Sequence, residues 1–115
     1  MKDDKVCVKH IPECILRVEQ YTGNERNAFM QSTLIQDAAL RNLQTLAEST
    51  QRLSDEIKKK HSETEWRNIA GFRNILVHDY LGGINLNQVW KVIDRDLPVL
   101  KEQMSDILQE LIAET

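Results

Sequence analysis

Glycine and proline are scarce in this chain, four and two among 115 residues, and aromatic residues make up only 5%. So few turn-forming residues argue against a sandwich of short strands, and a composition 41% hydrophobic and 29% charged argues against disorder. The expected class is all-α. No uninterrupted apolar run approaches the ~18 residues that a membrane-crossing helix needs, and "MKDDKVCVKH" is charged where a secretory leader would be apolar. A cytoplasmic protein with no membrane association is expected. Cysteine is limited to Cys7 and Cys14, spaced to fall on one stripe of a helix. That spacing suits neither a mutual disulfide nor a four-ligand zinc site, so both read as free packing thiols. An excess of positive charge is missing too: the net charge is −3, so any RNA contact must be local. One local excess runs from Lys58 through Lys59, Lys60 and Arg67 to Arg73, against Glu63 and Glu65, with His61 able to add charge in acid. A Lys-rich helix end also serves simply to complement the helix dipole.

What is present is helical periodicity without a repeat or a linker, and the length fits a single domain, residues 1–115, with one modest core that oligomerisation would enlarge. The first helix is expected over residues 4–21, with Ile11, Ile15 and Val18 facing the core and Tyr21 next in line. Pro12 marks a kink or the start of its regular part, and Gly23 takes the left-handed position that ends it. A second helical region over residues 25–51, with an early break near Met30 to Ser32, carries the spine Phe29, Leu34, Ile35, Ala38, Ala39, Leu43, Leu46 and Ala47. Ser54 caps a short helix over residues 55–60, and Ser62 with Glu65 forms the capping-box pattern of the next helix. That helix has Trp66, Ile69, Phe72, Leu76 and Tyr80 along one side and should stop at Gly82-Gly83. A final region over residues 87–113 carries Val89, Ile93, Leu97, Leu100, Met104, Ile107, Leu108 and Leu111, with a bend or break near Arg95 to Leu97 imposed by Pro98. Four principal helices and a short additional one suggest an up-down bundle.

The stretch "GFRNILVHDYLGG" at residues 71–83 stands apart, because it sets Arg73, Asn74, His78 and Tyr80 on an otherwise apolar helix. His10 and His61, by contrast, read as surface or satisfied polar groups. Asn74 and His78 share one helix face and Arg73 and Tyr80 another; at about 100° per residue, Arg73 and His78 are about 140° apart. Either the guanidinium bends around the helix or a two-fold axis brings two copies of the motif together. RNA cleavage needs neither a protein nucleophile nor a metal, since the 2′-hydroxyl attacks the adjacent phosphate once a base takes its proton and an acid protonates the leaving 5′-oxygen. Two histidines could fill those roles, each typically worth ~10²–10⁴ in rate, while Arg73 stabilises the phosphate and Asn74 orients the imidazole. Spacing alone favours a core histidine bonded to a neighbouring side chain or carbonyl, with Arg73 in an ordinary salt bridge, because Arg and His five apart occur often by chance.

The string Arg73-Asn74-Ile75-Leu76-Val77-His78-Asp79-Tyr80 resembles the Arg-x4-His-x-Tyr signature of the HEPN superfamily, in its HepT-like branch. The likeness continues in "VEQYTGN", "LIQDAALRNLQTLAE", "WRNIAGFRNILVHDY" and "NLNQVWKVIDRDLPVLKEQM", nearly the whole chain. Leu46-Ala47-Glu48-Ser49 departs from the Ile-Gly-Glu-Ala type often found in the family. The resemblance implies a helical homodimer, or a higher oligomer, acting as the toxin of a toxin-antitoxin pair. It further implies a metal-independent and cofactor-free endoribonuclease acting on transfer or messenger RNA, with Arg73, His78 and Asn74 at its site. Tyr80 matches the tyrosine to which a partner minimal nucleotidyltransferase, the antitoxin, attaches AMP. The competing expectation is a non-catalytic module that binds a nucleotide or the nucleotidyltransferase, which the acidic net charge favours.

Overall fold

Helices account for every regular element in the computed structural model, which describes residues 2–79 and 83–114. The elements are α1 (Lys2–Thr22), α2 (Arg26–Gln31), α3 (Thr33–Gln51), α4 (Asp55–Lys60), α5 (Trp66–His78), α6 (Leu86–Lys91) and α7 (Leu97–Ala113), with one π-helical turn, Val92–Asp96, joining the last two. Among the described residues there is no strand, as an all-α composition requires. No helix among them is long and apolar enough to cross a membrane.

The core is built from one stripe of each principal helix. On α1 the stripe is Val8, Ile11, Ile15 and Val18, all fully buried, flanked by Cys7 and Cys14, which are buried free thiols as expected. Tyr21 departs from the expectation and is 41% exposed. Thr22 holds the buried position instead, because it lies four residues beyond Val18, and its hydroxyl is satisfied by donating to the Val18 carbonyl at 2.9 Å. Pro12 sits inside α1 without interrupting it. Gly23 at φ +60° and Asn24 at φ +57° then end the helix in the left-handed region.

The break foreseen near residue 32 is real. Ser32 is extended and its side chain accepts from the Ile35 amide at 3.2 Å, which caps α3. The break also resets the helical phase, so the α2 position of Phe29 does not predict who faces inward on α3. Leu34, expected in the spine, is 78% exposed, whereas Ala39, Leu40, Leu43, Leu46 and Ala47 are buried. Ser54 caps α4 as expected, accepting from the Ile57 amide at 3.3 Å, and it also binds the buried Asp4 carboxylate through both its hydroxyl and its amide.

Two helix ends differ from their sequence signals. The Ser62–Glu65 capping box does not form: residues 61–64 are turns, the Trp66 indole donates to the His61 carbonyl at 3.0 Å, and the Glu65 carboxylate accepts from the Asn68 side chain at 2.7 Å. Helix α5 closes at His78, where the Asp79 amide donates to the Ile75 carbonyl at 2.9 Å, short of the glycine pair. The bend expected at Pro98 is a π turn. Proline has no N–H and its ring crowds the carbonyl four residues back, so one wider turn, closed by Leu97 N–H to the Val92 carbonyl, passes the ring without breaking the helix.

Helix α3 packs on α1 and α5, and α1 packs on α7. The α5–α7 side is the loosely packed seam of this arrangement, and a cavity of about 610 Å³ runs along it.

Candidate active site

Helix α5 presents two surfaces because its apolar residues recur at three and four. Leu76 is buried against the core, with Ile69 and Phe72 packed beside it, and Ile75 faces the seam. The remaining positions carry the polar groups. Arg73 is half-buried, while Asn74 and His78 are exposed. As both Arg73 and His78 lie within one regular helix, their separation of about 140° around its axis is preserved.

The guanidinium of Arg73 is poorly satisfied. Its Nε is buried without a hydrogen-bond partner, and its Nη1 reaches only the Asn74 Oδ1, at a long 3.4 Å. No carboxylate closes a salt bridge with it among the described residues, so the ordinary ion pair considered for Arg73 does not form there. An unpartnered, fixed, planar donor half-buried in a helix face suits an incoming anion. The His78 imidazole has no hydrogen-bond partner among the described residues and stands in the last turn of α5, open to solvent. It is therefore no buried core histidine. Tyr80 lies outside the described residues. The structure thus brings Arg73 and Asn74 together and places His78 one turn beyond Asn74 on its face of the helix, away from Arg73.

The other histidines are structurally occupied. His10 places Nδ1 2.8 Å from Ser49 Oγ and Nε2 3.6 Å from Cys14 Sγ, and burial pushes the Cys14 thiol up from its ordinary value. His61 lies against Glu110, its Nε2 3.0 Å from Oε2 but poorly directed for a hydrogen bond. Lys60 also binds Glu110 and reaches Glu114 at 3.5 Å, so part of the basic run at α4 is already neutralised by α7. Hydrogen bonding from Lys60 chiefly holds the Glu110 carboxyl below its ordinary value. Among the described residues no three His, Cys, Asp or Glu side chains come together as a metal site.

A ribonuclease HepT-like family model matches residues 11–107, a span that contains the whole of this constellation. The chain belongs to that family, within the HEPN superfamily. This HepT-like chain is 32% identical over 111 residues to a protein of Caldanaerobacter subterraneus subsp. tengcongensis provisionally named an RNase, covering 96% of the chain and 98% of that protein. It is 34% identical over 111 residues to a Methanocaldococcus jannaschii protein named a gamma-glutamylcyclotransferase and, provisionally, an RNase. There it covers 96% of the chain but 50% of that protein, so the chain spans half the length of this relative. It is also 29% identical over 101 residues to a Thermococcus cleftensis protein provisionally named ribonuclease HepT, covering 87% of the chain and 91% of that protein. No solved structure matches the chain.

Sequence reasoning missed the seam. Glu65 at the start of α5 and Asp96 in the π turn both line it, and burial followed by repulsion from Glu65 pushes the Asp96 carboxyl up, with Arg95 opposing. Only Pro98 hinted at an irregularity there, and a proline does not reveal which neighbour the irregularity faces.

Proposed function

We propose that this HepT-like chain is a metal-independent endoribonuclease, the toxin of a toxin-antitoxin pair, acting as a homodimer whose two α5 helices meet at one cleft. The observation that carries the reading is Arg73: a half-buried guanidinium with a partnerless Nε, on the same helix as an exposed histidine. Family membership and the RNase names of its relatives support it. In the reaction His78 of one copy takes the proton of a ribose 2′-hydroxyl, whose oxygen attacks the neighbouring phosphorus. The bond from phosphorus to the 5′-oxygen breaks, and His78 of the other copy protonates that oxygen. The products are a 2′,3′-cyclic phosphate and a free 5′-hydroxyl, with no oxidant, metal or cofactor consumed. Arg73 neutralises the charge that builds on the phosphoryl oxygens, a role typically worth ~10²–10³ in rate. Asn74 positions the imidazole one turn away from it.

The 140° between Arg73 and His78 on one helix favours a site shared by two copies over one in which the guanidinium bends around its own helix. Attachment of AMP to Tyr80 by a partner nucleotidyltransferase would place an anionic diester beside the same cleft, where it repels and obstructs the RNA phosphate.

The test is cleavage of cellular RNA by purified wild type, Arg73→Ala and His78→Ala, without the partner and with a chelator present. Cleavage by the wild type alone is expected; equal behaviour of all three would sink the proposal. Mixing wild type with His78→Ala in equal amounts tests the shared site: activity near a quarter of wild type follows if both histidines are needed, and near a half if each chain works alone. A pure docking module, favoured by the net charge of −3, would leave RNA intact in every arm.

A further inference from the structure

The basic run from Lys58 to Arg73 contains a cation that neither the fold nor the proposed reaction employs. Lys60 is bound by Glu110 of α7, and Arg73 serves the phosphate being cut in that reaction. Arg67 does neither. It stands exposed in the first turn of α5, at the border of the α5–α7 cavity with Glu63, Glu65 and Asp96, yet no carboxylate among the described residues comes within salt-bridge distance of it. Glu65 accepts instead from the Asn68 side chain at 2.7 Å, and Glu63 approaches His61 at 3.4 Å. At about 100° per residue, Arg67, Asn74 and His78 fall within about 40° of one another around the helix, so the three form one line along α5. All three are exposed. Gly71, exposed as well, lies on that line between Arg67 and Asn74 and adds no side chain to it.

We infer that Arg67 holds a second phosphodiester of the RNA strand, away from the bond that is cut, so that the strand lies along the exposed face of α5 between Arg67 and His78. The inference rests on the nuclease reading, because His78 and Asn74 are what bring RNA to this face. A planar guanidinium with its donors unspent matches the two free oxygens of a phosphodiester. Between Arg67 and His78 the line holds only Gly71 and Asn74, so a polyanion meets no carboxylate on it. Glu65 and Glu63 come just before Arg67 in the chain and end the track there. With a net charge of −3 the molecule as a whole does not attract RNA, and affinity must come from a few such contacts. Arg67 is about 16 Å from His78 along the helix axis, at 1.5 Å per residue. A dinucleoside monophosphate, whose one phosphate must sit at His78, therefore cannot use Arg67; a longer strand can.

The experiment follows binding of a fluorescent RNA dodecamer, 2′-O-methylated throughout so that it has no nucleophile, by anisotropy across a salt series. The full chain is used as wild type, Arg67→Gln, Arg67→Lys and Arg17→Gln. Arg67 is exposed and unpaired among the described residues, so its replacement leaves the fold intact. Arg17, exposed on α1, controls for the loss of one positive charge elsewhere. In Arg67→Gln the slope of log Kobs against log salt should become shallower by about 0.7 for each Arg67 in contact, and affinity at physiological salt should fall about fivefold. Arg67→Lys keeps the charge and should keep the slope, and Arg17→Gln should match wild type. On RNA that can be cut, Arg67→Gln should raise KM about fivefold with kcat unchanged, and on dinucleoside monophosphates it should equal wild type. An unchanged slope in Arg67→Gln, an equal loss in Arg17→Gln, or no saturable binding by wild type would overturn the inference. Wild type that binds through Arg67 but cuts nothing would sink the nuclease reading alone, and cleavage indifferent to Arg67 would sink this inference alone.

Discussion

Replacing Arg73 with methionine separates the two roles that an arginine on this helix could have. Methionine keeps an unbranched apolar stem of similar reach and removes every N–H. If Arg73 were held in a structural ion pair, losing it would strand the partner charge and lower stability. Among the described residues its Nε is buried with no partner and its one side-chain hydrogen bond is a 3.4 Å approach to Asn74. An unsatisfied buried donor costs about 1–3 kcal/mol, and because the rest of the guanidinium is only half-buried the low end, about 1 kcal/mol, applies. Unfolding entropy near 2.1 cal/mol/K per residue gives roughly 0.24 kcal/mol/K for a chain of this length, so Arg73→Met should raise Tm by about 4 °C. The same variant should lose RNA cleavage by at least ~10², since the phosphate loses its donor. Thermal unfolding by circular dichroism at one fixed protein concentration, beside a cleavage assay, reads both. A Tm lowered by several degrees would refute the reasoning, because it would mean that the folded protein already supplies Arg73 with a partner.

Phe29 is fully buried and stacks on Trp90 with ring centroids 5.6 Å apart, so Phe29→Ala should cost about 3–5 kcal/mol and lower Tm by roughly 12–20 °C in the same melt. Gly71 lies inside α5 with open space where a Cβ would go, and Gly71→Ala should raise denaturant stability by about 0.5–1 kcal/mol without blocking cleavage. The Lys60–Glu110 pair gives a pH signature. Glu110 is held below its ordinary value, so its contribution is present above the unfolded carboxyl value and is lost as pH falls through the folded one; Lys60 is raised above 10.5, so its contribution is lost as pH rises through that higher value. A Glu110→Gln variant should therefore melt below wild type near neutrality and converge with it at both extremes; a constant offset across pH would count against the pair. Asp96 runs the other way: its carboxyl is raised in the fold, so wild type loses stability as pH rises from the unfolded carboxyl value through the raised one, and Asp96→Asn should gain on wild type across that interval and keep the gain above it.

Periodicity and capping chemistry made much of this fold readable before any coordinates. The stripe Ile11, Ile15, Val18 needs only one helix to be true, and Ser32 and Ser54 cap with their own side chains, so both are decided locally. Leu34 was misread because its fate depends on the phase of α3 after the Ser32 break, a relation between two helices. The capping box failed for a similar reason: Thr64 is buried and Trp66 reaches back to His61, so tertiary contacts outcompeted a local pattern at Ser62. At the candidate site the motif was legible and its angular mismatch could be computed from spacing alone. That no carboxylate among the described residues pairs with Arg73 was not, because any acidic residue of the chain could have folded against it.

The cavity along the α5–α7 seam and the poorly satisfied arginine have one origin. Helix α5 rests on α3 and leaves a cavity along its α7 side, so each of its other faces is only partly covered. Near the start of the helix, that incomplete cover exposes an apolar floor bordered by Glu63, Glu65, Arg67 and Asp96. Farther along, on the flank where Arg73 sits, it buries the Nε of a guanidinium without enclosing a counter-charge among the described residues. A fully closed four-helix bundle would have had to pair Arg73 or replace it, since a wholly buried unpaired cation costs several kcal/mol. An edge helix can carry an arginine that waits for an anion at a cost of about 1 kcal/mol, well within the stability of a domain of this size. The looseness of α5 is thus the structural condition for a donor that is fixed in place yet unoccupied.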